Sequence, residues 1–496
     1  MNRIMLCLVF LPCLAACAAP RMTFTQTSPK GVYAASDVVT FSADIRDGDA
    51  PLAGSKIKWE LRLNETAVTG GVYAVGAAPL SVTGRFAKVG DWLRLKLTGV
   101  GADGKMLQHV LGPGKMRPMD FSIGAIADPL KIRLHEKPAD FEAFWAKERA
   151  RLAAVPMNPR VRRITPEELG EGYSEACDYY DITLDAVDGV PCRGVMAVRK
   201  GAVPKSQAMR VCFQGAGIHR ALPSRDEGER WIHVVFNACG IENFGTKKYY
   251  DDVKSRLGGY WALNSEDREK YFMKGVVLRV IRAMEFVKTI PQWNGRDLSV
   301  WGCSQGGMQA LVAAAFDTPP CITSCFAAVC AMCDTNGPEE GRLPGWPGIY
   351  RRTKGGIWRL GHHADKEKGF EKLGFEPPDF KKVGWHWKWD ESVVKTAAYF
   401  DMAHFCPRIR CPIEIVTGLS DTTCPPTSVL AAYNAIPNGN KRLLINPECG
   451  HAGYQFLYGQ SSCVVYDGET DVTGRPGVTI DGGKYYPTSG DYGRVR

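Results

Sequence analysis

The stretch Leu298-Ser299-Val300-Trp301-Gly302-Cys303-Ser304-Gln305-Gly306-Gly307 ends a short apolar run in a Gly-x-Ser-x-Gly turn, and a helix-like segment, Met308 to Phe316, follows at once. Strand, sharp turn and helix in this order present a serine hydroxyl at the edge of a sheet. The glycines have a physical task. The serine takes a strained backbone conformation, and bulky residues two positions away would clash across the turn. The helix N-terminus then aims backbone N–H groups at a developing oxyanion. The same letters also fit a Gly-rich turn without chemistry. A serine nucleophile therefore needs a base elsewhere in the chain, and the base needs an orienting carboxylate.

The catalytic order expected on such a sheet is Ser, then Asp or Glu, then His. Asp421 follows the apolar run Ile413 to Thr417 in Gly418-Leu419-Ser420-Asp421, and His451 follows Leu443 to Ile445 through Pro447-Glu448-Cys449-Gly450. Each stands just beyond a strand-like run. Ser304, Asp421 and His451 are the expected catalytic residues. Gln305, directly after the serine, offers one oxyanion-hole N–H. Ala216, in the loop Phe213-Gln214-Gly215-Ala216-Gly217, offers the other. His219, just beyond that loop, is placed to line a pocket.

The flanking sequence is consistent with this frame. Candidate strands at Arg210–Phe213, Ile232–Phe236, Leu298–Gly302, Phe326–Cys330, Ile413–Thr417 and Arg442–Ile445 alternate with helical patterns, such as Val277, Ile281, Met284 and Val287 within Tyr271 to Ile290. This alternation predicts an α/β fold with a mostly parallel sheet flanked by helices. A hairpin, Tyr179 to Leu184 and Val195 to Val198, precedes it, and Asp140 is the expected cap of a helix through Phe144 and Leu152.

Residues 21–127 follow another grammar. Val39, Phe41, Ala43 and Ile45 alternate with polar residues, as do Ile57, Trp59, Leu61 and Leu63, then Leu93, Leu95 and Leu97. Period-two runs between Gly, Asp and Asn predict a small all-β sandwich, immunoglobulin-like by analogy. The α/β unit spans 128–465, and 466–496 form a Gly-, Asp- and Tyr-rich tail. Within the α/β unit, 334–393 interrupt the alternation with five of the chain's 12 Trp. Indole faces pack well on the C–H faces of sugars, so this segment is expected to form part of the substrate pocket, with at least one of Trp385, Trp387 and Trp389 touching substrate. Packing of the insertion onto the body is the alternative.

Residues 1–20 read as an export leader: Arg3, a short apolar core from Ile4 to Leu14, then Leu14-Ala15-Ala16-Cys17. Small residues before a cysteine resemble a bacterial lipobox with Cys17 as the lipidated residue. Cleavage after Ala18 is the alternative. The expected location is the cell envelope, as a lipoprotein, or the periplasm, with membrane contact only through the lipid. Of 17 Cys, three lie in this leader, and many of the others sit in apolar runs as small buried hydrophobes. Cys330-x-x-Cys333 lacks a second pair at zinc spacing, and no His-Glu-x-x-His occurs, so a metal is not expected. The net charge of +9 is scattered without a basic tract, so nucleic acid is not an expected partner.

Gly302-Cys303-Ser304-Gln305-Gly306-Gly307 resembles the acetyl xylan esterase / cephalosporin C deacetylase family, carbohydrate esterase family seven. So do Arg282-Ala283-Met284-Glu285-Phe286, Tyr399-Phe400-Asp401, Gly418-Leu419-Ser420-Asp421-Thr422-Thr423-Cys424-Pro425-Pro426, Ala431-Ala432-Tyr433-Asn434 and Gly450-His451. The resemblance covers roughly residues 130 to 460. It implies an α/β-hydrolase fold, Ser304 as nucleophile, Asp421 as orienter, His451 as base, and deacetylation of short acetylated sugars without metal or cofactor. Three positions depart from the family pattern. Cys239-Gly240-Ile241 stands where Arg-Gly-Gln is expected, Gln214-Gly215-Ala216 where His-Gly-Tyr is expected, and Ala452 where a Glu usually follows the histidine. These changes leave the triad in place and leave a homo-oligomer open.

The reading is an exported serine esterase acting on acetylated oligosaccharide or polysaccharide. Two rivals stand beside it: another serine hydrolase, a peptidase or a glucuronoyl esterase, and a carbohydrate-binding surface lipoprotein with a relic hydrolase domain.

Overall fold

The alternating apolar residues near the amino terminus build two sheets around one core. Arg21–Gln26, Val38–Asp47, Ala50–Pro51 and Leu80–Arg85 form the first. Val32–Tyr33, Asp120–Ala127, Trp92–Val100, Lys56–Leu63 and Thr66–Ala74 form the second. Val39, Phe41, Ala43 and Ile45 from one sheet meet Ile57, Leu61, Leu93, Leu95, Leu97 and Ile123 from the other, all buried. Each such Phe, Leu or Ile contributes about 1.5–3 kcal/mol on leaving water. Trp59 and Leu63, expected in the same row, are only partly buried at its margin.

The structure, a computed structural model, describes residues 20–112, 115–170, 173–334, 342–343, 345, 349–353, 356–360, 391–437, 439–451 and 463–473. Cys17 and the three tryptophans Trp385, Trp387 and Trp389 lie outside these residues.

The second unit is built on an eleven-stranded sheet. Its order is Arg160–Arg163, Cys177–Leu184, Cys192–Arg199, Ile232–Phe236, Gln207–Phe213, Trp293–Cys303, Ser324–Ala328, Ile413–Gly418, Lys441–Asn446, Val464–Asp467 and Thr470–Asp471. The exchange of Gln207–Phe213 with Ile232–Phe236 in this order is the arrangement of an α/β hydrolase. The expectation of a mostly parallel sheet needs correction, because the sheet is mixed. Parallel pairing runs from Ile232–Phe236 to Lys441–Asn446. The strands outside that block pair antiparallel. The reason is connection length. A short turn such as 185–191 joins only antiparallel neighbours, whereas parallel neighbours need a crossover. Val464–Asp467 belongs to this sheet, so the tail expected from residue 466 begins inside a strand.

The helices are set by the same apolar spacing. Phe272–Val287 forms the helix expected over Tyr271 to Ile290, with Val277, Ile281, Met284 and Val287 all buried. Asp140 stands at the N-terminus of Phe141–Ala153, but its carboxylate does not cap it. It is drawn away by the Tyr399 hydroxyl, which donates to it, and by Arg268 at 2.8 Å. A guanidinium and a phenol hydroxyl together outcompete one backbone N–H.

The two units are joined by buried contacts. Trp92 Nε1 donates to Leu419 O at 2.7 Å, and Gly124 N donates to Pro447 O at 2.8 Å. The start of the 334–393 segment is pinned by a two-pronged pair, Arg342 Nε to Asp334 Oδ2 at 3.0 Å and Nη2 to Oδ1 at 3.1 Å, both residues buried. Farther on, Ile349–Thr353 and Gly356–Leu360 form a hairpin.

Candidate active site

Ser304 sits between the strand Trp293–Cys303 and the buried helix Gln305–Ala315, with φ 59° and ψ −122°. A non-glycine residue takes such a conformation only when its surroundings enforce it. Here the Ser304 N–H donates to Ala328 O at 3.0 Å, and its C=O accepts from Met308 N and Ala331 N, both at 3.1 Å. The flanking glycines are required by contact. A Cβ on Gly302 would stand 1.9 Å from Gly306 O, and one on Gly306 would stand 2.2 Å from Phe213 O. The tight turn inferred from Gly-x-Ser-x-Gly therefore rests on backbone-to-backbone approach.

Asp421 and His451 come to the same edge. Their strands, Ile413–Gly418 and Lys441–Asn446, lie parallel with Ser324–Ala328 and Trp293–Cys303, so the carboxyl ends of all four share one side of the sheet. His451 Nε2 is 3.1 Å from Ser304 Oγ, and His451 Nδ1 is 2.9 Å from Asp421 Oδ2. The other Asp421 oxygen accepts from Thr423 N at 2.7 Å and Cys424 N at 3.0 Å. Asp421 is fully buried, while the His451 side chain is 33% exposed. A buried acceptor on Nδ1 selects the tautomer whose Nε2 is free to take a proton from the hydroxyl. The arrangement is suited to attack by an activated hydroxyl on a carbonyl.

Sequence reasoning placed the loop Gln214–Gly217 beside the turn, and the structure brings it there. Gln309 Nε2 donates to Gln214 O at 2.8 Å, across the contact made by Gly306. Ala216 is exposed on this loop. His219 lies beyond it, its Nδ1 accepting from the Gln214 amide. Tyr260 escaped the sequence reading. Its buried hydroxyl donates to Gln305 Oε1 at 2.6 Å and accepts from Gly217 N at 3.3 Å, tying the turn to the loop. Tyr260 lies in a short irregular helical segment, Tyr260–Ala262, so no periodicity pointed to it.

Several thiols crowd the site. Burial, reinforced by the negative charge of Asp421, pushes the Cys303 thiol up to about 12, so it stays protonated beside Ser304. The Cys424 thiol is likewise raised well above its usual range by burial and by the Asp421 charge. All fourteen cysteines from Cys177 to Cys463 are free thiols. Among the described residues, Asp421, Cys424 and His451 bring potential metal-ligand atoms within 4.8 Å of one another. This donor set fits an ion poorly, since the carboxylate and imidazole already bond each other and the thiol resists losing its proton.

Comparison with known proteins finds relatives of this chain. The chain is 26% identical over 319 residues to the acetyl esterase Axe7A of Xylanibacter ruminicola, covering 63% of each chain. It thus spans 63% of that relative's length. An acetyl xylan esterase from Paenibacillus sp. R4 superposes with a TM-score of 0.48 at 23% identity, covering 65% of this chain and 93% of the other. Acetyl xylan esterase 1 from Thermoanaerobacterium sp. JW/SL YS485 superposes with a TM-score of 0.47 at 17% identity, covering 64% and 90%. Residues 125–336 and 378–464 match the acetyl xylan esterase family, a match that takes in Ser304, Asp421 and His451. With more than half of its length matched in this way, the chain belongs to the acetyl xylan esterase family.

Proposed function

We propose that the protein is a serine esterase that removes acetyl groups from acetylated xylan-type carbohydrate. The observation that carries this reading is the aligned relay from Asp421 Oδ2 through His451 to Ser304 Oγ, with spacings of 2.9 and 3.1 Å. Ser304 attacks the ester carbonyl while His451 takes its proton. The tetrahedral oxyanion is met by the N–H groups of Gln305 and Ala216. His451 then gives that proton to the departing sugar oxygen, which leaves as a free hydroxyl. The acetyl-enzyme is hydrolysed by water that the same histidine activates. Asp421 stabilises the imidazolium in both half-reactions.

The finer features of the proposal concern address and substrate. Cys17 carries the lipid of an envelope-anchored, exported protein, a reading supported by Leu14-Ala15-Ala16-Cys17. Trp385, Trp387 and Trp389 line the sugar site, a reading supported by their clustering between the strands that bear Ser304 and Asp421. The amino-terminal unit is immunoglobulin-like, supported by its two sheets around one core.

The test is a side-by-side assay of acetylated xylo-oligosaccharides, methyl uronate esters and peptides, with released acetate, methanol and amine measured. Acetate release that vanishes in Ser304→Ala supports the reading. Turnover confined to methyl uronates or peptides overturns it in favour of another serine hydrolase. No turnover alongside sugar binding overturns it in favour of a binding protein.

A further inference from the structure

The loops that carry Asp421 and His451 do not rest only on the hydrolase sheet. Leu419, two residues before Asp421, is fully buried. Its N–H donates to Asn446 O at 2.8 Å, and Ser420 N donates to Cys449 O at 2.9 Å, so the acid loop is laced to the histidine loop. Asp421 N closes the turn onto Gly418 O at 3.1 Å. In the same turn, Leu419 C=O accepts from the indole N–H of Trp92 at 2.7 Å. Trp92 belongs to the amino-terminal β unit and is only 1% exposed.

A second strand of that unit presses on both loops. A Cβ on Gly124 would stand 2.1 Å from Leu419 O, so backbone abuts backbone there. Gly124 N donates to Pro447 O at 2.8 Å, on the loop leading to His451, and Gln26 Nε2 holds Gly124 O at 3.0 Å. Gly31 completes the seam. It has φ +70°, and a Cβ there would stand 2.8 Å from Pro447 Cγ and 2.9 Å from Leu419 Cδ1.

We propose that Trp92 is a positioning residue for ester cleavage: with Gly124, it makes the amino-terminal β unit the outer support that sets Asp421 against His451. The inference rests on the triad reading above. A spacer would touch the hydrolase anywhere on its surface. This unit instead contacts the peptide two residues from the acid and the loop four residues from the base. With Leu419 buried, loss of the indole N–H leaves its carbonyl short of a donor and favours movement of the loop. Small displacements of a reacting group are costly in rate while leaving substrate binding intact.

The experiment compares Trp92→Phe, which keeps a packed ring and removes the N–H, with Gly124→Ala, which pushes directly on Leu419. Trp59→Phe, in the same sheet but partly buried at its margin, is the control. Active sites are counted with a fluorophosphonate that labels the reactive serine, and rates on an aryl acetate are expressed per labelled site. Trp92→Phe and Gly124→Ala are expected to lower kcat per site about five- to thirtyfold with KM little changed, and the control to change neither. Unchanged kcat per site in both variants, or fewer labelled sites at full kcat, overturns the proposal. So does failure of both variants to fold, because the seam would then serve folding alone. Ser304→Ala in the same series separates the two claims. If it retains turnover, the triad reading fails. If it is inactive while Trp92→Phe keeps full kcat, only the positioning role fails.

Discussion

His451 Nε2 lies 3.1 Å from Ser304 Oγ, although the two residues are 147 positions apart in the chain. The contact is made by neither residue's local sequence. It follows from parallel strands that end on one edge, from a serine forced to φ 59°, and from a carboxylate that fixes the imidazole from behind. Each part of this relationship can be broken separately.

Removal of the hydroxyl should stop the chemistry and spare the fold. Ser304→Ala is expected to lose aryl acetate turnover by on the order of a thousandfold or more, with an unchanged circular dichroism spectrum. A purified Ser304→Ala protein with wild-type rate would take Ser304 out of the mechanism.

Asp421→Asn tests the orienting carboxylate without changing its size. One oxygen of Asp421 accepts from Thr423 N and Cys424 N, and the other faces His451 Nδ1. An amide satisfies the two backbone donors with its oxygen and turns its NH2 toward the ring. The ring then carries its proton on Nε2 and has no lone pair for the serine. Turnover should fall about a thousand- to ten-thousandfold with little change in melting temperature. A loss of less than tenfold would show that His451 is held by other means.

Glu414 makes stability depend on pH. It lies on the strand that leads to Asp421, paired in register with Arg442 at 3.6 Å. Burial pushes its carboxyl up to about 7 from an ordinary 4.5, with Arg442 pulling the other way. The folded state therefore holds this proton more tightly than the unfolded chain does. The stability it contributes is fully present below about pH 4.5 and is lost as pH rises through about 7. Glu414→Gln keeps the shape and removes the charge. Its melting temperature relative to the parent protein should rise between pH 5 and pH 8, as read by calorimetry across that range. A difference that stays constant with pH contradicts the assignment.

The tryptophans of the 334–393 segment separate by substrate size. A Trp385→Ala, Trp387→Ala or Trp389→Ala change at a sugar-stacking position should weaken turnover of acetylated oligosaccharide far more than that of an aryl acetate, with stability nearly intact. A ring that only packs the segment should cost about 3–5 kcal/mol of stability and leave the ratio of the two rates alone. If all three variants behave in the second way, the sugar-site assignment is wrong.

The sequence alone determined the elements whose chemistry is local. Gly302, Ser304 and Gly306 specify a sharp turn, because any side chain at the glycines meets backbone. The period-two rows of Val39 to Ile45 and Leu93 to Leu97 specify strands with one buried face. The order Ser304, Asp421, His451 was legible too, since each residue follows an apolar run. What tertiary structure decided was every pairing between distant segments. The antiparallel edge strands Arg160–Arg163 and Val464–Asp467, the Tyr260 hydroxyl between Gln305 and Gly217, and the Trp92 indole on Leu419 leave no periodic trace, unlike the hairpin of Cys177–Leu184 and Cys192–Arg199. The physical reason is that a hydrogen bond between single groups far apart in the chain imposes no spacing on its neighbours. A buried face does impose one on every second or fourth residue, and that can be read before the chain is folded.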